Sequence, residues 1–287
     1  MKNQLENFKN TAMVEGSLSN CTLQAYETDI VKFINFLPEE KAWNAVTQKN
    51  VIDFLGVMHS HGYANATITR TFHSLKSFFK YLLKNDLVDK DPTQFIQRKN
   101  NCTKIPDVLT IPEVQAMMFH ASIDNSAARD VALLELLYSN GLRVSELCAI
   151  KLSDIQGDSI RIHGKGNKER IVPLTVKTKL AIQKYIDSIE NRPSDLLFLN
   201  RVGKPLDRVA AYLIVKKHSF NAGIMKSVSP HTLRHSLATH LLDRGADIRV
   251  IQSILGHSDI RSTAHYSQVS THLIKQAFNE YHPNIEA

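Results

Sequence analysis

Six side chains in the second part of the chain are of types that handle phosphate: Arg143, Lys165, His231, Arg234, His257 and Tyr266. His231 and Arg234 stand three apart in Ser229-Pro-His-Thr-Leu-Arg-His235, which opens as a helix with Ser229 as cap and Pro230 at the first helical position. That spacing sets both on one face of a helix N-terminus, where free N–H groups and the dipole favour an anion. The arrangement suits a phosphate, although a surface arginine beside a capping histidine has the same local pattern. His231 and His235, four apart, have the spacing of a metal pair. The metalloprotease pattern H-E-x-x-H, however, places Glu after its first His, where this chain has Thr232. No Cys or carboxylate cluster lies nearby in the sequence, so no metal is expected.

Arg143 and Glu146 are also three apart, in Asn140-Gly-Leu-Arg-Val-Ser-Glu-Leu147, after an apolar helix from Val131 to Tyr138 that Gly141 ends. They project side by side at the start of a short helix, as an ordinary surface ion pair also does. Lys165 occupies the turn Gly164-Lys-Gly-Asn167, a place where lysine is usually just solvated. Tyr266 follows His257 by nine residues, where a tyrosine is more often a core or interface residue. What lifts each residue above its local reading is the set, in this order and each in a distinctive setting.

The elements that must position these groups can be traced from the periodicity. From Ser19 the chain reads as a capped amphipathic helix with Leu23, Tyr26, Ile30, Phe33, Ile34 and Leu37 on one side. A second begins at Thr47 with Val51, Phe54, Leu55 and Met58 inward. A third runs from about Asn65 to Asn85 with Ile68, Phe72, Leu75, Phe79 and Leu82 inward and Arg70, His73, Lys76 and Lys80 on its polar face. Periodicity then lapses between Asp91 and Thr110, which predicts a domain at residues 1–97, a linker at 98–109 and a second domain at 110–287. Thr110-Ile-Pro-Glu113 is a capping box that starts a new helix. Ser159–His163 and Glu169–Leu174 read as the strands of a β-hairpin around the turn that holds Lys165.

The chain has 287 residues, 43% hydrophobic and 22% charged, which is a globular mixture able to bury a core. A net charge of +7 inclines it towards an anionic partner. Three scattered cysteines, Cys21, Cys102 and Cys148, do not form a disulfide framework and point to a reducing, intracellular compartment. The stretch from Met1 to Gly16 reads as polar, and no apolar run approaches a membrane span.

With these motifs the chain resembles the tyrosine recombinases of the integrase superfamily. Arg143 in G-L-R-V-S-E-L, Lys165 in G-K-G-N-K-E-R, His231 and Arg234 in H-T-L-R-H, His257 in L-G-H, and Tyr266 fill its six catalytic positions. The likeness extends through S-N-C-T-L-Q-A-Y-E-T-D-I, similar to the family's DNA-clamping domain, to the tail Tyr281-His-Pro283, and is strongest to the Xer recombinases. One departure is local: Tyr266-Ser-Gln268 stands where relatives often have Y-T-H, a position that carries no catalytic assignment.

The resemblance implies a mainly α fold with a small antiparallel β-sheet. An N-terminal helical, SAM-like DNA-clamp domain and a mixed α/β catalytic domain would close around duplex DNA. It implies that Tyr266 attacks a backbone phosphate, that Arg143, Arg234 and His257 stabilise the transition state, and that Lys165 protonates the leaving oxygen. His231 would accept the tyrosine proton and Glu146 would orient Arg143 or His231. No cofactor is implied. Phosphate contacts are expected from Arg70, His73, Lys76 and Lys80, and from Arg98 and Lys99 in the linker.

The implied partners are duplex DNA with a specific core site, a tetramer of this chain alone or with a related recombinase, and a DNA translocase of the FtsK type, all in the cytoplasm. The tail at about 271–287, with Leu273, Ile274, Ala277 and Phe278 as its apolar stripe, would be exchanged between protomers rather than folded back on its own domain. The implied role is Xer-like resolution of chromosome dimers at cell division. A mobile-element integrase, a DNA invertase, a type IB topoisomerase and a catalytically silent DNA-binding protein are the alternatives.

Overall fold

The computed structural model describes residues 1–15, 18–38, 41–96, 107–164, 169–256, 278 and 280–283. The chain divides into two compact units, Met1–Thr103 and Lys104–Ala287, each with its own hydrophobic core.

The first unit is helical, with α1 (Lys2–Val14), α2 (Asn20–Phe36), α3 (Gln48–Ser60) and α4 (Asn65–Lys84). Caps begin α2 and α3 as the sequence predicts: Thr22 N donates to Ser19 Oγ (3.3 Å), and Thr47 and Asn50 form a reciprocal box. Val51, Phe54, Leu55 and Met58 of α3 are buried, as are Ile68, Phe72, Leu75, Phe79 and Leu82 of α4. The core is aromatic, with Trp43 edge-on to Phe78 at 4.9 Å and to Phe79 at 5.6 Å between ring centroids. Helix α1 lies in the stretch that reads as polar. Its apolar residues Leu5, Phe8 and Ala12 are three and four apart and all buried, Phe8 packing edge-on against Phe78.

The second unit holds α5 (Ile111–Ser122), α6 (Ala127–Ser139), α7 (Val144–Leu147), β1 (Ile155–Gln156), β2 (Ser159–His163), β3 (Glu169–Pro173), α8 (Val176–Asp187), α9 (Arg208–Asn221), α10 (Pro230–Asp243) and α11 (Ile248–Leu255). Helix α6 is buried on all sides from Ala132 to Ser139, because α5, α8 and α10 pack around it. The strands form one antiparallel sheet in the order β1-β2-β3, with Ile160 opposite Val172 and Ile162 opposite Arg170. The two-residue β1 adds to the predicted hairpin. The register turns Ile160, Ile162 and Val172 inward, and Arg170 shares their face.

Described residues at the linker and in the tail add detail to two of the expectations. The last residues of the predicted linker belong to the second unit: Leu109 is fully buried, and its N–H donates to Ser236 Oγ at 2.9 Å. Asp107 and Val108 are also tied to it, accepting from Ser227 N (3.2 Å) and Lys226 Nζ (3.0 Å). In the tail, the described residues pack on their own unit: Phe278 is in the core and His282, fully buried, shares a 3.0 Å hydrogen bond with the Ser139 carbonyl. Leu273, Ile274 and Ala277 lie outside the described residues, as does most of the expected exchange helix. No described helix is long and apolar enough to cross a membrane.

Candidate active site

Arg143 caps the short helix α7, and Glu146 in its first turn reaches back to it. Glu146 accepts from Arg143 N (2.9 Å) and from Arg143 Nη1 (2.8 Å), so the three-residue spacing makes a closed ring rather than a loose surface pair. Arg143 also donates from Nη2 to the Gly256 carbonyl at 3.0 Å. Arg234, one turn into α10, is 7% exposed and donates to the carbonyls of Gly141 and Leu255, both at 2.6 Å. The two predicted arginines therefore meet at the C-terminal end of α11, whose last carbonyls have no partner within the helix.

Glycine is required twice at this junction. Gly141 has φ +59°, and a Cβ there would stand 2.5 Å from Leu255 Cδ2. Gly256 has φ +65° and ends α11 in the left-handed region. The glycines in N-G-L-R and L-G-H thus let the Arg143 turn and the α11 turn come together.

A third arginine, absent from the sequence reading, completes the cluster. Arg170 of β3 donates from Nη1 and Nη2 to the two oxygens of Glu146, at 2.9 Å and 2.7 Å, and from Nε to the Ile254 carbonyl at 3.3 Å. The signal was in the alternation of β3: Arg170 sits two residues from buried Val172 on the inward face, where a charge needs a partner.

Charge follows this geometry. Burial alone would raise the Glu146 carboxyl, but the hydrogen bonds from Arg170 and Arg143 and the Arg170 charge bring it down to about 2. Arg234 is lowered to about 10 by burial and by the charges of Arg143 and Arg170, with Glu146 opposing, so it stays cationic at neutral pH. Fixed, charged guanidinium donors of this kind can fork onto a phosphate's non-bridging oxygens.

His231 lies exposed in the first turn of α10, behind the predicted cap in which Thr232 N donates to Ser229 Oγ at 3.2 Å. Of the two partners expected for Glu146, the described contacts include Arg143 and not His231. Lys165, His257 and Tyr266 lie outside the described residues, as do Arg98 and Lys99. On α4, His73, Lys76 and Lys80 share an exposed face. Arg70 is held differently: its Nε and Nη2 each donate at 2.9 Å to the buried carboxylate of Asp29 on α2, so it ties two helices together.

Residues 107–272 match the phage integrase family, and residues 5–86 match the phage integrase N-terminal SAM-like domain. Tyrosine recombinase XerD of Staphylococcus saprophyticus is 38% identical, over 97% of this chain and 98% of its own. Tyrosine recombinase XerD of Oceanobacillus iheyensis is 36% identical, again over 97% of this chain and 98% of its own. Among solved structures, XerH site-specific recombinase bound to palindromic difH substrate in a post-cleavage complex is 25% identical with a TM-score of 0.70, covering 90% of this chain and 78% of that one.

Proposed function

The chain belongs to the phage integrase family, and from that premise we propose that it is a site-specific DNA recombinase of the Xer kind. The observation that carries the reading is the meeting of Arg143 and Arg234 at the end of α11, directly before His257.

In the proposed reaction the Tyr266 hydroxyl oxygen attacks a backbone phosphorus, the bond to the 5′ oxygen breaks, and a 3′-phosphotyrosyl link forms. His231 takes the tyrosine proton and Lys165 gives a proton to the departing 5′ oxygen. Arg143, Arg234 and His257 hold the non-bridging oxygens as charge develops on them, and Glu146 orients Arg143. The phosphodiester energy stays in the protein linkage, so neither ATP nor a metal takes part. A free 5′-hydroxyl from a second duplex then attacks the phosphotyrosine and exchanges the strand.

The XerH relative, solved bound to its difH substrate, supports DNA as partner, and chromosome-dimer resolution is the role proposed here. Four protomers on DNA, a translocase of the FtsK type and a cytoplasmic location belong to the same proposal. The exposed His73, Lys76 and Lys80 of α4 are proposed phosphate contacts, with Arg98 and Lys99.

The test begins by crosslinking the protein to its own genome and recovering the bound core site. A duplex of that site nicked just downstream of the scissile phosphate, which on cleavage loses the short fragment bearing the freed 5′-hydroxyl, should trap a covalent adduct that digests to a peptide containing Tyr266. Tyr266→Phe should abolish the adduct. An adduct that persists in Tyr266→Phe would overturn the assignment.

A further inference from the structure

Arg170 is the charged side chain of the cluster to which the proposed reaction gives no task, although it is 15% exposed and makes three hydrogen bonds. The register of β3 turns it inward, and its fork closes on both oxygens of Glu146, whose side chain is 4% exposed. Its stem and fork also lie against Gly256: a Cβ built there would stand 3.0–3.1 Å from Arg170 Cδ, Nη1 and Cζ.

The three arginines share the end of α11 in order. The carbonyl of Ile254 accepts from Arg170, that of Leu255 from Arg234, and that of Gly256 from Arg143. These are the orphan acceptors at the negative end of the helix dipole, so the helix end holds three like charges close together. Glu146 offsets their repulsion, and Arg170 decides how it does so. With two of its hydrogen bonds satisfied by Arg170, Glu146 engages Arg143 through Nη1 and the backbone N–H and leaves Nη2 to Gly256. Without Arg170, the Glu146 carboxylate turns its full charge on Arg143 and draws that guanidinium away from Gly256.

We propose that Arg170 is a positioning residue for strand cleavage, setting the Arg143 guanidinium through Glu146 and the turn that ends α11 through Ile254 and Gly256. The proposal rests on the recombinase reading.

Adduct formation on the nicked duplex is timed for the wild-type chain and for Arg170→Ala, Arg170→Lys and Arg143→Ala, alongside duplex binding. Arg170→Ala should form adduct roughly 10–100-fold more slowly, as misplacement of a catalytic group by about an ångström does. DNA affinity should change less than about threefold, because at most one contact is lost from a many-contact interface. Arg170→Lys should also be slow, since lysine keeps the charge but lacks the fork.

The distinguishing readout is a methylphosphonate at the scissile position, which removes one negative charge and with it part of the need for Arg143. The defects of Arg170→Ala and Arg143→Ala should shrink together on that substrate. Wild-type rates in Arg170→Ala would overturn the proposal, as would a defect that methylphosphonate leaves untouched while relieving Arg143→Ala. Should Arg170→Ala lose DNA binding, Arg170→Lys carries the same comparison, and loss of binding in both variants assigns Arg170 to folding instead. No adduct from the wild-type chain sinks the recombinase reading itself, an outcome distinct from all of these.

Discussion

Gly256 carries two constraints at once, a left-handed φ of +65° and the Arg170 guanidinium lying where a side chain would begin. Gly256→Ala meets both. The backbone term alone is about 1–2 kcal/mol, since an L-residue in that region sets its Cβ against the next carbonyl. A melting temperature lower by roughly 2–6 °C is expected by thermal denaturation, together with slower adduct formation, because Arg170 must move. Unchanged melting and cleavage would mean that the contact is loose. At this scale the sequence showed the Arg143–Glu146 pair and the Ser229 cap, since three-residue spacings act locally. It did not show that Arg70 is held by Asp29, 41 residues away, or that Arg170 faces Glu146. Both depend on how elements pack, and a lysine- and arginine-rich segment beside a turn looks solvated until its strand register is known.

Among the elements, caps and stripes were legible because each is written within one or two turns: the Thr110–Glu113 box opens α5, and the inward residues of α3 and α4 are all buried. Helix α1 was not, because Leu5, Phe8 and Ala12 are thinly spread among polar residues and gain their burial only against α2 and α4. The tail adds a pH dependence. Burial, with the Arg244 charge adding to it, lowers His282 from its ordinary 6.5 to about 4, against the hydrogen bond with Ser139. The docked tail therefore holds the neutral ring. Its contribution is complete above pH 6.5 and drains away as pH falls from 6.5 through about 4. Amide protection factors in the tail peptide, taken relative to the intrinsic exchange rate at each pH, should fall over that interval, ahead of those in α6. Protection that is flat down to pH 4 would show that His282 does not hold the tail.

The whole molecule combines two separate cores with a net charge of +7. Division into two units was legible from the lapse in periodicity before Thr110, whereas the assignment of Leu109 was not, because the partner of its N–H is Ser236 of α10, 127 residues away. Separate cores predict calorimetric unfolding that departs from a single two-state transition, checked by comparing calorimetric and van't Hoff enthalpies. Identical enthalpies would show the units melting as one. The arginine cluster adds a consequence of another kind. Arg143, Arg170 and Arg234 face the single carboxylate of Glu146 and leave two positive charges in excess among these residues. Like charges held together repel, so the protein without DNA carries a self-energy that an oxyanion relieves. By mass action, inorganic phosphate at a hundredfold excess over its dissociation constant should stabilise the second unit by about 2.7 kcal/mol and leave the first unit's transition in place. Sodium chloride at matched ionic strength should do less. Purified in a phosphate buffer, the same chain should outlast itself in an amine buffer, with shelf life following the anion supplied.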